Sequence, residues 1–229
     1  MSALWCELAW LGGDVPERGV LVEVDGATIT AVRAQPHPPA DADRLRGLTI
    51  PGLANAHSHA FQRALRGRTH AGTGSFWTWR EQMYALAETI DPDSYVALAR
   101  ATFAEMALAG ITVVGEFHYL HREGNAMGEA VIQAAAEAGV RLTLLDACYL
   151  RGGLDSFRDA DAGAWAARVG ELRDSAKHES GSSAPASAYI CSRQVQNEPS
   201  PACVRPRSAR WNACECALAR PGSVSPASR

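Results

Sequence analysis

Asn55-Ala56-His57-Ser58-His59 is the stretch whose residue types could most directly do chemistry. Two histidines separated by one residue point to the same side of an extended chain, so both rings can reach one metal ion. Zinc takes imidazole nitrogen at about 2.0–2.1 Å, and a catalytic zinc site keeps a position open for a water that the ion acidifies. In an arbitrary chain such a pair is more often coincidence than a metal site. Here it follows Pro51-Gly52 and a short apolar run, Leu53 to Ala56, which reads as a buried strand. The C-terminal ends of such strands are where parallel α/β barrels place their catalytic groups.

The elements around this pair alternate between strand and helix. Ser75 to Ala87 carries Phe76, Trp79, Met83 and Leu86 at nearly helical spacing. A second helix begins at Asp91 as its cap with Pro92 in the first turn. It buries a face of Tyr95, Ala99, Thr102, Phe103 and Met106, and ends with Gly110 at C′. Ile111 to Val114 follows as a β-branched strand, then a helix from Asn125 to Ala138 closed by Gly139. Val140 to Ala147 is a further strand and Ala162 to Ser175 a further helix. Short connections between successive units predict parallel strands covered by helices.

Residues 1–50 read instead as a small β appendage. Gly19 to Val24 and Ala27 to Val32 flank Asp25-Gly26, a two-residue hairpin signal, and Gln35 to Asp43 is a Pro- and Ala-rich loop. The 229 residues, 47% hydrophobic with a formal net charge of -3, suffice for one core and an appendage. There is no basic excess to neutralise phosphates, so nucleic acid and anionic membrane surfaces are not expected partners. No run approaches the roughly 20 apolar residues that span a bilayer, and the start lacks a positive region of the signal-peptide type. A cytoplasmic protein acting on a small molecule is the expectation. Cys6 and Cys148 read as small buried hydrophobes. The other four cysteines fall after residue 190 without a CxxC pair, so neither a zinc knuckle nor a disulfide framework is expected.

Three segments in order give a more specific reading. Pro51-Gly52-Leu53-Ala54-Asn55-Ala56-His57-Ser58-His59 resembles the first-strand signature of the amidohydrolase superfamily. Ala60-Phe61-Gln62-Arg63, then Phe76-Trp77-Thr78-Trp79-Arg80-Glu81-Gln82-Met83-Tyr84, then Glu116-Phe117-His118-Tyr119-Leu120-His121, resemble its formimidoylglutamate deiminases. The resemblance covers residues 1–178. It implies the first part of a TIM (β/α)8-type metal-dependent hydrolase barrel behind a small N-terminal β domain. It also implies zinc on His57 and His59, and substrate contacts from Gln62, Arg80 and Tyr119. The reaction implied is hydrolysis of N-formimidoyl-L-glutamate to N-formyl-L-glutamate and ammonia, a step of histidine degradation; the intact relatives are expected to be homodimers.

The residue types agree with that implication. A dicarboxylate substrate calls for a guanidinium, and Gln and Tyr can orient its remaining polar groups. Read without the resemblance, Arg80 would stack on Trp77 or pair with a carboxylate, Gln62 would be a solvated helix start, and Tyr119 would pack at a strand end. His118 and His121 carry little weight as metal ligands, since in the family this segment touches substrate.

The superfamily completes its metal site with two later histidines and an aspartate, and the family takes a catalytic histidine, a glutamate and a further arginine from later strands. After His121 this sequence has only His178, so no catalytic residue is identifiable, and two imidazoles leave zinc under-coordinated. Residues 51–178 supply about three of eight βα units, which predicts an unpaired edge on the third strand. Residues 179–229 change character: 181–229 hold one leucine, Leu218, and no lysine, amid Ser, Pro, Arg and Cys. Disorder or a shifted reading frame accounts for such a tail, and a non-catalytic fragment is the alternative to the deiminase. Another deaminase of the superfamily, acting on guanine or cytosine, is the alternative within the enzymes; Arg80 favours the acidic substrate.

Overall fold

The Asp25 hairpin forms with its turn displaced by one residue. In the computed structural model, which describes residues 2–69, 74–122, 124–179 and 189–195, Asp25 pairs with Thr28, leaving Gly26 and Ala27 as the turn. The strands are β1 (Ser2–Ala9), β2 (Glu17–Asp25), β3 (Thr28–Ala34) and β4 (Asp43–Thr49), in the order β3-β2-β1-β4. β4 lies parallel to β1, so the loop predicted to reach Asp43 stops one residue earlier. Cys6, Ala9 and Val20 form the small core of this unit, Met1–Leu53.

The second unit, Ala54–Arg229, follows the alternation read from the sequence. β5 (Leu53–Ser58) leads into a 3-10 helix (Ala60–Leu65), then α1 (Phe76–Thr89), α2 (Pro92–Leu108), β6 (Ile111–His118), α3 (Ala126–Ala138), β7 (Arg141–Tyr149), a short 3-10 turn (Asp155–Phe157), α4 (Ala162–Glu179) and β8 (Tyr189–Val195). The sheet order is β5-β6-β7-β8, with β6, β7 and β8 parallel; these four strands do not close a barrel among the described residues.

Local chemistry sets the helix ends. Ser75 accepts from Thr78 N while the Thr78 hydroxyl accepts from Ser75 N, a complete capping box. Asp91 Oδ1 accepts from Ser94 N at 2.8 Å, a cap worth about 1 kcal/mol. The buried face of α2 is Tyr95, Ala99, Thr102 and Phe103, with Met106 half-buried at its edge. α2 packs on α3, whose Val131, Ala134 and Ala135 are buried, and on β6, whose Val114 is buried in the same core. Burying a side chain as large as Phe103 contributes roughly 3 kcal/mol.

Two expectations need correction. The third strand, β7, is not an edge, because Thr143 to Tyr149 pair with Tyr189 to Val195 of β8. A run as short as Tyr189-Ile190-Cys191 shows no periodicity, but the exposed hydrogen-bonding groups of β7 are a template on which it forms a strand. Residues 180–188 and 196–229 of the tail lie outside the described residues. β6 is also longer than its β-branched start, continuing through Gly115 and the charged Glu116 to His118. A Cβ on Gly115 would lie 2.8 Å from the Ala56 carbonyl oxygen, so the absent side chain lets β6 come close to β5. No helix among the described residues is long and apolar enough to cross a membrane.

Candidate metal centre and ligand site

Strand alternation sorts the motif after β5. Ser58 is buried, whereas His57 is exposed and His59 half-buried. The two histidine Nε2 atoms converge to 2.9 Å. His59 Nδ1–H donates to the Phe117 carbonyl at 3.0 Å, which leaves its Nε2 lone pair free toward His57. Burial lowers the His59 pKa and the neighbouring His57 adds to this, against the Phe117 bond that raises it. The Asn55 side chain accepts from His57 N at 3.2 Å, and the His57 ring stacks on Phe117 with centroids 5.7 Å apart.

This pair fits a zinc or similar divalent ion. Two nitrogens bound tetrahedrally to one zinc stand about 3.3 Å apart, close to the separation seen here. The backbone bond that fixes the His59 tautomer is the usual outer partner of a metal-bound imidazole. Exposure of His57 leaves room for water and ligand.

Gln62 and Tyr119 meet beside the pair. Gln62 Nε2 donates to the Tyr119 hydroxyl at 2.8 Å, and the Tyr119 ring lies edge-on to His59 at 5.3 Å. Tyr119 is buried against Phe61 and Phe157, and burial raises its pKa. With Gln62 donating to it, the phenol keeps its own proton to offer a ligand. An open cleft of about 430 Å³ adjoins, lined by Gln62, Arg63, Leu65, Arg66, Thr69 and Trp79.

Arg80 is placed otherwise. Its guanidinium lies 4.4 Å from the centre of the Trp77 ring and 5.4 Å from that of Tyr84, the stacking expected from the helix alone. Its Nε is buried without a hydrogen-bond partner. No hydrogen bond joins its side chain to Gln62 or Tyr119 among the described residues.

A second cluster brings Asp146, not singled out in the sequence, to His118 and His121, the two histidines given little weight as ligands there. His118, His121 and Asp146 are all buried, with potential ligand atoms within 4.8 Å of one another. His121 Nε2–H donates to the Ala147 carbonyl at 2.9 Å, and the Nδ1 atoms of both histidines are buried without partners. Burial pushes His118 down to about 3 and lowers His121 as well, so both rings are neutral. Three donors of these types could hold a divalent ion. Asp146, however, already accepts from Arg168 at 2.8 and 2.9 Å and from Trp165 Nε1 at 3.0 Å. A cation there would meet the Arg168 guanidinium, which makes the cluster a charge-compensated support. The clue in the sequence was a lone aspartate inside the apolar run Leu144-Leu145-Asp146-Ala147-Cys148, which calls for a cation from elsewhere.

Glu116 was missed in the same way, having been read only as part of a motif. It is fully buried, and its Oε1 accepts from Ala60 N at 2.6 Å. Burial raises it to about 7, against the neighbouring Ser58 hydroxyl and the Ala60 amide, which lower it.

Comparison with known proteins agrees with this fold. The model of the amidohydrolase family matches residues 48–197. Formimidoylglutamate deiminase of Pseudomonas aeruginosa is 38% identical over 170 residues, 67% of this chain and 36% of that protein. The chain thus spans about a third of the length of the curated relatives it matches. An amidohydrolase from Brucella melitensis superposes with a TM-score of 0.73 at 29% identity, covering 84% of this chain and 45% of that one. A mutant atrazine chlorohydrolase from Arthrobacter aurescens, crystallised with zinc and atraton, superposes with a TM-score of 0.68 at 21% identity over 83% of this chain and 46% of that one, a likeness of fold.

Proposed function

Since the chain belongs to the amidohydrolase family, we propose that it carries the metal-binding strand and part of the substrate site of a zinc-dependent formimidoylglutamate deiminase. The observation that carries this reading is the single cluster formed by the converging His57 and His59 nitrogens and the Gln62–Tyr119 hydrogen bond beside them.

The reaction is hydrolysis of an amidine-type C–N bond. Water adds its oxygen to the formimidoyl carbon of N-formimidoyl-L-glutamate, the bond to the terminal nitrogen breaks, and that nitrogen leaves as ammonia with both water protons. His57 and His59 would hold the zinc, which when bound would supply Lewis acidity and acidify a water. Tyr119 donates its phenolic proton to the ligand, and Gln62 holds the phenol in place. Arg80, flattened against Trp77, receives a substrate carboxylate, which its planar fork binds better than an ammonium would.

His57 and His59 are two of the ligands such a site needs, so the 229-residue chain should bind the ligand but show negligible ammonia release. The deciding measurement is equilibrium binding of N-formimidoyl-L-glutamate and of guanine to the Zn²⁺-loaded chain. Preference for the acidic ligand, lost in Arg80→Met, supports the reading. Equal or tighter binding of guanine overturns it in favour of a heterocycle deaminase.

A further inference from the structure

We propose that Glu116 is a positioning residue that fixes the histidine pair and the Gln62 turn from the opposite face of the sheet. The inference rests on the metal-site reading for its consequence, while its geometry stands on its own.

Ser58 sits between the two histidines and faces the other way, into the core. Glu116 neighbours it there and takes the amide hydrogen of Ala60, so the carboxylate holds the chain immediately after His59. Ala60 opens the 3-10 helix that carries Gln62, and His59 at its N-cap makes no side-chain capping bond. The Ala60 amide is an orphan donor of a helix start, buried away from water, and Glu116 is its partner. Phe117, the next residue, provides the carbonyl that sets the His59 tautomer. Gly115, the residue before, allows β6 to approach Ala56 closely enough for these bonds.

Packing does not require a carboxylate at this position. Glu116 is fully buried and its Oε2 has no hydrogen-bond partner. A methionine would fill the same space without the penalty of burying a charge or an unpaired oxygen. What methionine lacks is the acceptor for the Ala60 amide.

The test uses the full chain, ¹⁵N-labelled at histidine and alanine, as wild type, Glu116→Gln, Glu116→Met and Ser58→Ala. Imidazole ¹⁵N spectra read the His59 tautomer, the Ala60 amide shift reads the bond at its nitrogen, and Co²⁺ titration reads the metal site. Wild type and Glu116→Gln should hold His59 as the Nδ1–H form with a downfield Ala60 amide. Glu116→Met should average the tautomers, move the amide upfield and weaken Co²⁺ binding at least tenfold with unchanged far-ultraviolet circular dichroism. Rescue by glutamine separates an acceptor from a charge. The proposal fails if Glu116→Met keeps both signals, or if Glu116→Gln loses them equally. Should Glu116→Met not fold, an unchanged His59 tautomer in Ser58→Ala overturns the proposal and a disturbed one supports it. Absence of Co²⁺ binding by wild type would defeat the metal reading alone, since the tautomer and amide signals decide the role of Glu116 without metal.

Discussion

Gln62 and Tyr119, 57 residues apart in sequence, are joined by a 2.8 Å hydrogen bond beside the His59 ring. The bond ties the turn after β5 to the end of β6, so neither side chain moves independently of the other.

Tyr119→Phe removes the acceptor and leaves the Gln62 amide half-buried without a partner. The expected cost is about 1 kcal/mol of stability, read by urea denaturation, and a several-fold loss in affinity for N-formimidoyl-L-glutamate. An unchanged affinity would take Tyr119 out of the ligand site.

His57→Ala and His59→Ala should each abolish measurable Co²⁺ binding to the purified chain; the thermal midpoint should be nearly unchanged for the exposed His57 and slightly lower for the half-buried His59, which loses its bond to the Phe117 carbonyl. Binding that survives both changes, but not His121→Ala, would place the ion at the buried cluster instead.

Arg168→Met should destabilise by roughly 3–5 kcal/mol, since it strands the buried Asp146 carboxylate. Arg168→Met with Asp146→Asn should cost clearly less than the two single changes added together. Additive losses in denaturant unfolding would mean that the two residues are not coupled.

Glu116 gives stability a pH dependence of definite sign. Its pKa is raised from the ordinary 4.5 to about 7 in the folded chain, so folding favours the protonated form. The associated stability is fully present below about pH 4.5 and is lost as pH rises through 7. Glu116→Gln should therefore gain on wild type between pH 5 and 8 by an amount on the order of 3 kcal/mol, measured as the difference in unfolding free energy. A difference that is flat over this range would show that the carboxylate is ionised throughout.

Features fixed within a few residues of chain were legible in the sequence. Ser75, Asp91, Gly110 and Gly139 mark helix ends through bonds or backbone angles set locally, and the structure has its ends there. The histidine pair was legible because strand alternation alone brings its rings to one side. Glu116 and Arg168 were not. Their partners lie 56 and 22 residues away, and no local pattern distinguishes a buried paired charge from a solvated one. The strand Tyr189–Val195 was hidden for a related reason, its backbone bonds being supplied by β7.

The order β5-β6-β7-β8 is also the order of synthesis. Each new strand finds its partner in the one most recently completed, across α1 and α2 before β6, α3 before β7 and α4 before β8. A chain leaving the ribosome can therefore add strands one after another without waiting for a distant segment, as expected for elements that dock as they emerge. The His57–His59 end of β5 takes its shape when β6 brings Glu116 and Phe117 beside it, so the histidine pair is assembled early in translation, before β7 and β8 are made.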